Sequence, residues 1–210
     1  MALINSPKFS CEIIDNNFDN VNDEDKIYNC RFNDYEFSLR KLSSFEFNEC
    51  IFFKVKALNI EFYNIQFIDI CFENCDFSNS SFELCSFVRC EFKNCKLLGA
   101  NFVNCSFHHI SFSGVLKYIN FANNKFKNVI FSSAIMDEGR FLDNKFSSIY
   151  FKECNINKLE FSFCKLSGID LSSCEFDDIK IRAEELNGIK MNSFQACVIA
   201  RKLGVIISDI

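Results

Sequence analysis

Residues 74–95 read NCDFSNSSFELCSFVRCEFKNC, with Phe at 77, 82, 87 and 92 and a Ser or Cys two places before each. An α-helix advances about 100° per residue, so a five-residue step would scatter these rings around the cylinder. A long strand alternates its faces and would send Phe77 inward, Phe82 outward and Phe87 inward again. What remains is a chain that turns a corner every five residues. Such a chain shows the same two positions, the centre i and the small residue i−2, to one interior.

Read outward from this stretch, the step is continuous from Phe32 to Phe112, and again from Phe121 to Met191, with nine residues where ten are due between Phe112 and Phe121. Every centre is apolar, and most are Phe; the central core set is Phe62, Phe67, Phe72, Phe77, Phe82, Phe87, Phe92, Phe102, Phe107 and Phe112. An internal repeat this long is the strongest signal in the chain. Corner chemistry shares its phase. Sharp corners favour residues that tolerate positive φ, and at i+2 stand Asn59, Asn64, Asn74, Asn79, Asn94, Asn104, Asn123 and Asn128, with Gly99, Gly114, Gly168 and Gly188.

The 210 residues carry a formal net charge of −5, and no Gly/Ser/Pro-rich linker divides them. One elongated domain is expected: a cap segment over residues 1–31, repeats over 32–191 with a register break at 113–120, and a C-terminal helix and tail over 192–210. Neither a membrane span nor a secretory signal is indicated, so a cytoplasmic protein is expected. Ten of the 13 Cys fall at i−2, which reads them as small interior residues. Zinc wants ligands converging on one point, and these are strung out at multiples of five. His108 and His109 follow Phe107 at outward positions and read as surface residues. No nucleotide-binding loop or metalloprotease motif occurs, so no cofactor, metal or catalytic residue is expected. No basic stripe interleaved with aromatics points to nucleic acid.

Stretches such as CDFSN, CEFKN, ANFVN and CSFHH resemble the pentapeptide-repeat family over about residues 30–191. That resemblance implies an all-β fold, a right-handed quadrilateral parallel β-helix with twenty residues per coil. Residues 32–191 would then make about eight coils, a rod of about 38 Å at the usual strand spacing.

After Met191 the step ends. Asn192 or Ser193 can cap a helix whose apolar residues Phe194, Cys197 and Val198 share a face, with Arg201 and Lys202 in its last turn and Gly204 as its stop. With Leu203, Val205, Ile206 and Ile207 beyond, this end is too apolar to leave in water. It either folds back on its own last coil or joins two chains through a two-fold contact, and the homodimer is the favoured expectation.

The segment LNGIKMNSFQACVIARKLGVI is similar to the C-terminus of the Qnr quinolone-resistance proteins, and the opening MALI and the length agree. This resemblance implies a dimeric rod that resembles duplex DNA, binds DNA gyrase and topoisomerase IV and protects them from fluoroquinolones. Two loops found in many relatives are missing: FKVKALNI at 53–60 keeps the five-residue step, and SGVLKY at 113–118 loses a residue. The chain therefore looks like a loopless member. Duplex DNA carries about one negative charge per 1.7 Å, far denser than the near-balanced repeats here. The acids lean toward the N-terminal half, where Glu46, Glu49, Glu61, Asp69, Glu73, Asp76, Glu83 and Glu91 are candidates to face a topoisomerase or simply an ordinary solvated face. The alternative function is a general protein-binding scaffold.

Overall fold

Short strands carry the Phe centres. Glu61–Tyr63, Gln66–Ile68, Cys71–Glu73 and Ser81–Glu83 each turn one Phe inward between two outward neighbours, the alternation any strand imposes. Between strands the chain turns on a left-handed residue: the eight Asn named above have φ between 51° and 58°. Their short polar side chains tolerate this region better than most. The computed structural model describes residues 4–16, 26–37 and 40–208; Phe18 and the acidic run Asp23–Asp25 lie outside the described residues.

The strands stack in parallel. Phe82 sits between Phe62 and Phe102, and Phe87 between Phe67 and Phe107, so four repeats of five residues close one coil. The molecule is a four-sided parallel β-solenoid, as the repeat implies. A seven-stranded sheet forms one side, and a 12-stranded sheet wraps two others, because Ser86–Lys96, Ser106–Val115 and Lys125–Ile135 run on through a corner. The remaining side is joined by isolated bridges such as Glu36 to Lys56 to Asp76 to Lys96. Strand pairing thus spans seven layers on the side of Phe62. The last coil is joined by isolated bridges, among them Glu160 to Lys180 and Asp170 to Lys190, and carries a 3-10 turn at Ala183–Leu186.

Inside, three sides carry columns of Phe. Along Phe62, Phe82 and Phe102 the ring centroids are 4.5 Å apart and nearly coplanar in orientation; Phe67, Phe87 and Phe107 stack at 4.8 and 5.1 Å. Rings on adjacent sides meet edge to face, as Phe77 and Phe82 do. Each such pair adds about 1 kcal/mol beyond the burial of its area. The fourth side is largely aliphatic, with Ala57, Leu97, Leu116, Met136 and Ile156 all fully buried. None of the ten central Phe is more than 4% exposed.

The ten Cys at i−2 are all buried free thiols. Each column repeats one bond: Cys75 Sγ donates to Phe52 O at 3.2 Å, and Cys95 Sγ to Phe72 O at 3.3 Å. Burial pushes the thiols of Cys50 and Cys90 up to about 12, which keeps them protonated and poorly nucleophilic. One column exchanges thiol for amide. Asn124 Oδ1 accepts from Cys105 N–H and its Nδ2 donates to Phe102 O, and Asn144 repeats the pattern one coil on.

The missing residue is absorbed on a single side. Gly114 is not the corner residue its spacing suggests; it pairs with Cys95 and Ala134 in the inward i−2 column, with φ 112°. A Cβ there would lie 2.2 Å from Cys95 O. Leu116 takes the place of the centre, and the rings of Phe92, Phe112 and Phe131 stack undisturbed at 4.7 and 4.9 Å. Skipping the corner removes a main-chain acceptor, and Ser113 replaces it: its Oγ accepts from Asn94 N–H and donates to Phe92 O.

At the C-terminus a helix, α1, runs Ser193–Lys202, capped by Asn192, whose Oδ1 accepts from Gln195 N–H while Gln195 Oε1 accepts from Asn192 N–H. The residue that anchors it is Gln195. Only 1% exposed, it donates from Nε2 to Leu171 O and Cys174 O, closing two carbonyls of the last coil. Val198 and Ile199 pack on the core. Phe194, placed on one face with Val198 by the apolar spacing, is 64% exposed.

Candidate functional site

In-register parallel stacking sets each residue above the one twenty places earlier, so opposite charges at that spacing meet. Eight ion pairs among the described residues obey this rule: Lys26–Glu46, Glu36–Lys56, Asp69–Arg89, Glu73–Lys93, Asp76–Lys96, Lys117–Asp137, Glu138–Lys158 and Arg140–Glu160. Exposed pairs of this kind contribute about 0–1 kcal/mol each. Their larger effect is to cancel charge along each column.

The candidate acids are therefore dispersed, not gathered. Glu46, Asp69, Glu73 and Asp76 are each neutralised by a base one coil away. Burial works against the Asp76 carboxylate, but the hydroxyl and amide of Ser78 and the Lys96 ammonium hold it below its usual range. Glu61 and Glu83 share the side of Phe62 and Phe82, and Glu91 lies beside Phe92 on another; these three carry no ion pair among the described residues. No single acidic face results.

One corner has a different use. Its left-handed residues, one per coil, are Glu49, Asp69, Arg89 and His109, with φ 54°, 55°, 51° and 58°. The N-terminal segment runs along this column. Asn5 N–H donates to His109 Nδ1 at 3.2 Å, Lys8 N–H to Asp69 Oδ1 at 2.9 Å, and Ser10 N–H to Glu49 Oε2. Ser10 Oγ adds a bond to Glu49 Oε2 at 2.7 Å. Ile14 and Asp15 then pair with Cys30 and Arg31 on the first coils. Glu49 and Asp69, candidates for contact with a partner, are thus covered by the chain's own segment. Arg89 clamps Asp69 from the other side through Nε at 2.7 Å and a second guanidinium bond, and the Asp69 side chain is 7% exposed. The imidazole of the neighbouring His108 is held below its usual range by burial and then by His109, Lys127 and Arg89. Among the described residues no three His, Cys, Asp or Glu converge on a metal position, and no helix is long and apolar enough to cross a membrane.

The tail is the other exposed feature. Phe194, Leu203 and Val205 are more than half exposed, and Ile206 is 94% exposed; Val198 is partly buried against the core and Ile207 is half-buried. Sequence reasoning missed the axial segment, whose bonds to Asp69, Glu49 and His109 each include a main-chain N–H. It also missed Gln195, although Asn192 three places earlier signals a capping box.

The model of the pentapeptide repeat region matches residues 65–132 and 85–161. No curated protein matches the sequence. Similar solved structures include a trypsin-treated form of QnrB1, a plasmid-mediated fluoroquinolone resistance protein, at 20% identity over 89% of this chain and 91% of that one, with a TM-score of 0.45. Full-length QnrB1 has 16% identity over 86% and 99%, with a TM-score of 0.41. The pentapeptide repeat protein Rfr23 from the cyanobacterium Cyanothece 51142 has 11% identity over 56% and 64%, with a TM-score of 0.32. Likenesses of this degree carry no argument about function. The family model does fall on residues whose five-residue step, left-handed corners and stacked centres build the four-sided coil, and over residues 65–161 the chain matches the pentapeptide repeat region.

Proposed function

We propose that this rod binds DNA gyrase, topoisomerase IV or both in the cytoplasm, and protects them from fluoroquinolones by occupying a surface that otherwise holds a DNA segment. The observation that supports it most is the C-terminal end. The Qnr-type segment LNGIKMNSFQACVIARKLGVI closes the last coil through Gln195 and leaves Phe194, Leu203, Val205 and Ile206 exposed. In this reading that apolar end joins two copies into one rod of about 80 Å, long enough to lie along a surface that normally holds a DNA segment. Shape carries the resemblance to DNA, with Glu61, Glu83 and Glu91 supplying the uncancelled charge. The test is gyrase supercoiling with a fluoroquinolone present. Added protein restores supercoiling if the reading is right; inhibition unchanged at saturating protein rejects it.

A second reading has its own observation. The cancellation of charge between coils favours a scaffold that docks some other protein, because a DNA-like field is not needed for it. Absence of gyrase and topoisomerase IV binding, with an intact dimer, selects this alternative.

A further inference from the structure

Two periods meet at the corner of Glu49, Asp69, Arg89 and His109. An extended chain climbs about 3.3 Å per residue and the solenoid about 4.8 Å per coil. The three residues from Asn5 to Lys8 span the two coils from His109 to Asp69, and the two from Lys8 to Ser10 span the one from Asp69 to Glu49. Side-chain acceptors at the coil spacing thus meet main-chain donors at the strand spacing. The acceptors are prebuilt: Asp69 is fixed by the Arg89 clamp, and His109 is also in contact with Asn128. The bound segment is held lightly by comparison. Asn5, Ser6, Lys8, Phe9 and Ser10 are all exposed, and only Ile4 and Pro7 of the strap are half-buried. Segments tied by surface hydrogen bonds with little apolar burial belong to the least stable parts of a fold and open while the rest stays closed.

We infer that this corner is a docking edge for an extended peptide running along the rod axis, and that Ile4–Ser10 is its resident occupant, displaced when an extended segment of a partner protein takes the edge. Recognition is of the main chain, so the partner segment needs free N–H groups at the matching spacing and no Pro there. The edge does not depend on which enzyme the rod serves.

Pro has no N–H, so Lys8→Pro with Ser10→Pro in the full chain removes the strap's donors to Asp69 and Glu49, leaving only Asn5 on His109, without changing the rod. A fluorescent peptide of natural residues 4–12, with Cys11→Ser, is titrated against both proteins by anisotropy. The double variant is expected to bind it one to one and at least about tenfold tighter than the natural chain, whose tethered strap competes at high effective concentration. Equal affinity for the two proteins, or no binding to the variant, overturns the inference. In the natural chain alone, the amides of Lys8 and Ser10 should exchange with solvent at least about a hundredfold faster than the amide of Ser86, which donates to Ile65 O inside the coil. Equal protection would show a strap that does not open, and would also overturn it.

Discussion

Phe87 shows what a single residue carries. Fully buried, it stacks on Phe67 and Phe107 and meets Phe92 and Phe102 across the coil. Phe87→Asp would bury a carboxylate with no partner, at a cost of several kcal/mol. The expected outcome is loss of the cooperative thermal transition followed by circular dichroism; a melting temperature like that of the natural chain would refute this packing. Gly114 is as constrained for the opposite reason, lack of space. Gly114→Ala would drive a methyl into the Cys95 carbonyl at a left-handed φ, for a loss of about 3 kcal/mol in denaturant unfolding. Less than about 1 kcal/mol would mean that the short side can relax.

Among the elements, α1 depends on Gln195 more than on its apolar residues. Gln195→Ala removes the side-chain half of the capping box, takes the side-chain donor from Cys174 O and leaves Leu171 O with only the Cys174 N–H. It should cost about 1–3 kcal/mol and release the helix, seen as faster amide exchange confined to residues 193–203. Uniform exchange along the whole chain would contradict a local cap. The contrast between coil and ends explains what sequence makes legible. Phe centres, Asn corners and inward Cys recur at one phase, so each confirms the others and the coil can be read without a structure. The strap has no period: Asn5, Lys8 and Ser10 act through main-chain donors common to all residues, and their acceptors lie 39 to 104 positions away. Apolar spacing alone puts Phe194 on one helix face with Val198; the buried polar anchor, Gln195, decides which side turns in. Gly114 looks like a corner because the count of residues does not say which position was lost.

At the scale of the whole molecule, the exposed tail and the edge lie toward different ends of the chain. Ile206→Asp with Ile207→Asp places charge in the proposed two-fold contact without touching a coil. Monomers by light scattering, with normal β content and lost protection of gyrase, are expected. A persistent dimer would dismiss this interface, and a protective monomer would show that one rod suffices.

The twenty-residue register has a further consequence, an angular one. Every five residues move the chain a quarter turn, so the direction in which the strap edge faces relative to the tail is counted out in repeats, like the hands of a clock. The residue skipped at Gly114 leaves this count intact because one side absorbs it. Excising residues 82–101 would join Ser81 to Phe102, set Phe107 on Phe67 and Phe112 on Phe72, and shorten the rod by about 4.8 Å with its bearings unchanged. Excising 82–86 alone would swing everything downstream by a quarter turn at almost the same length. If both variants fold, a partner that loses only the second is reading direction, and one that loses only the first is measuring distance.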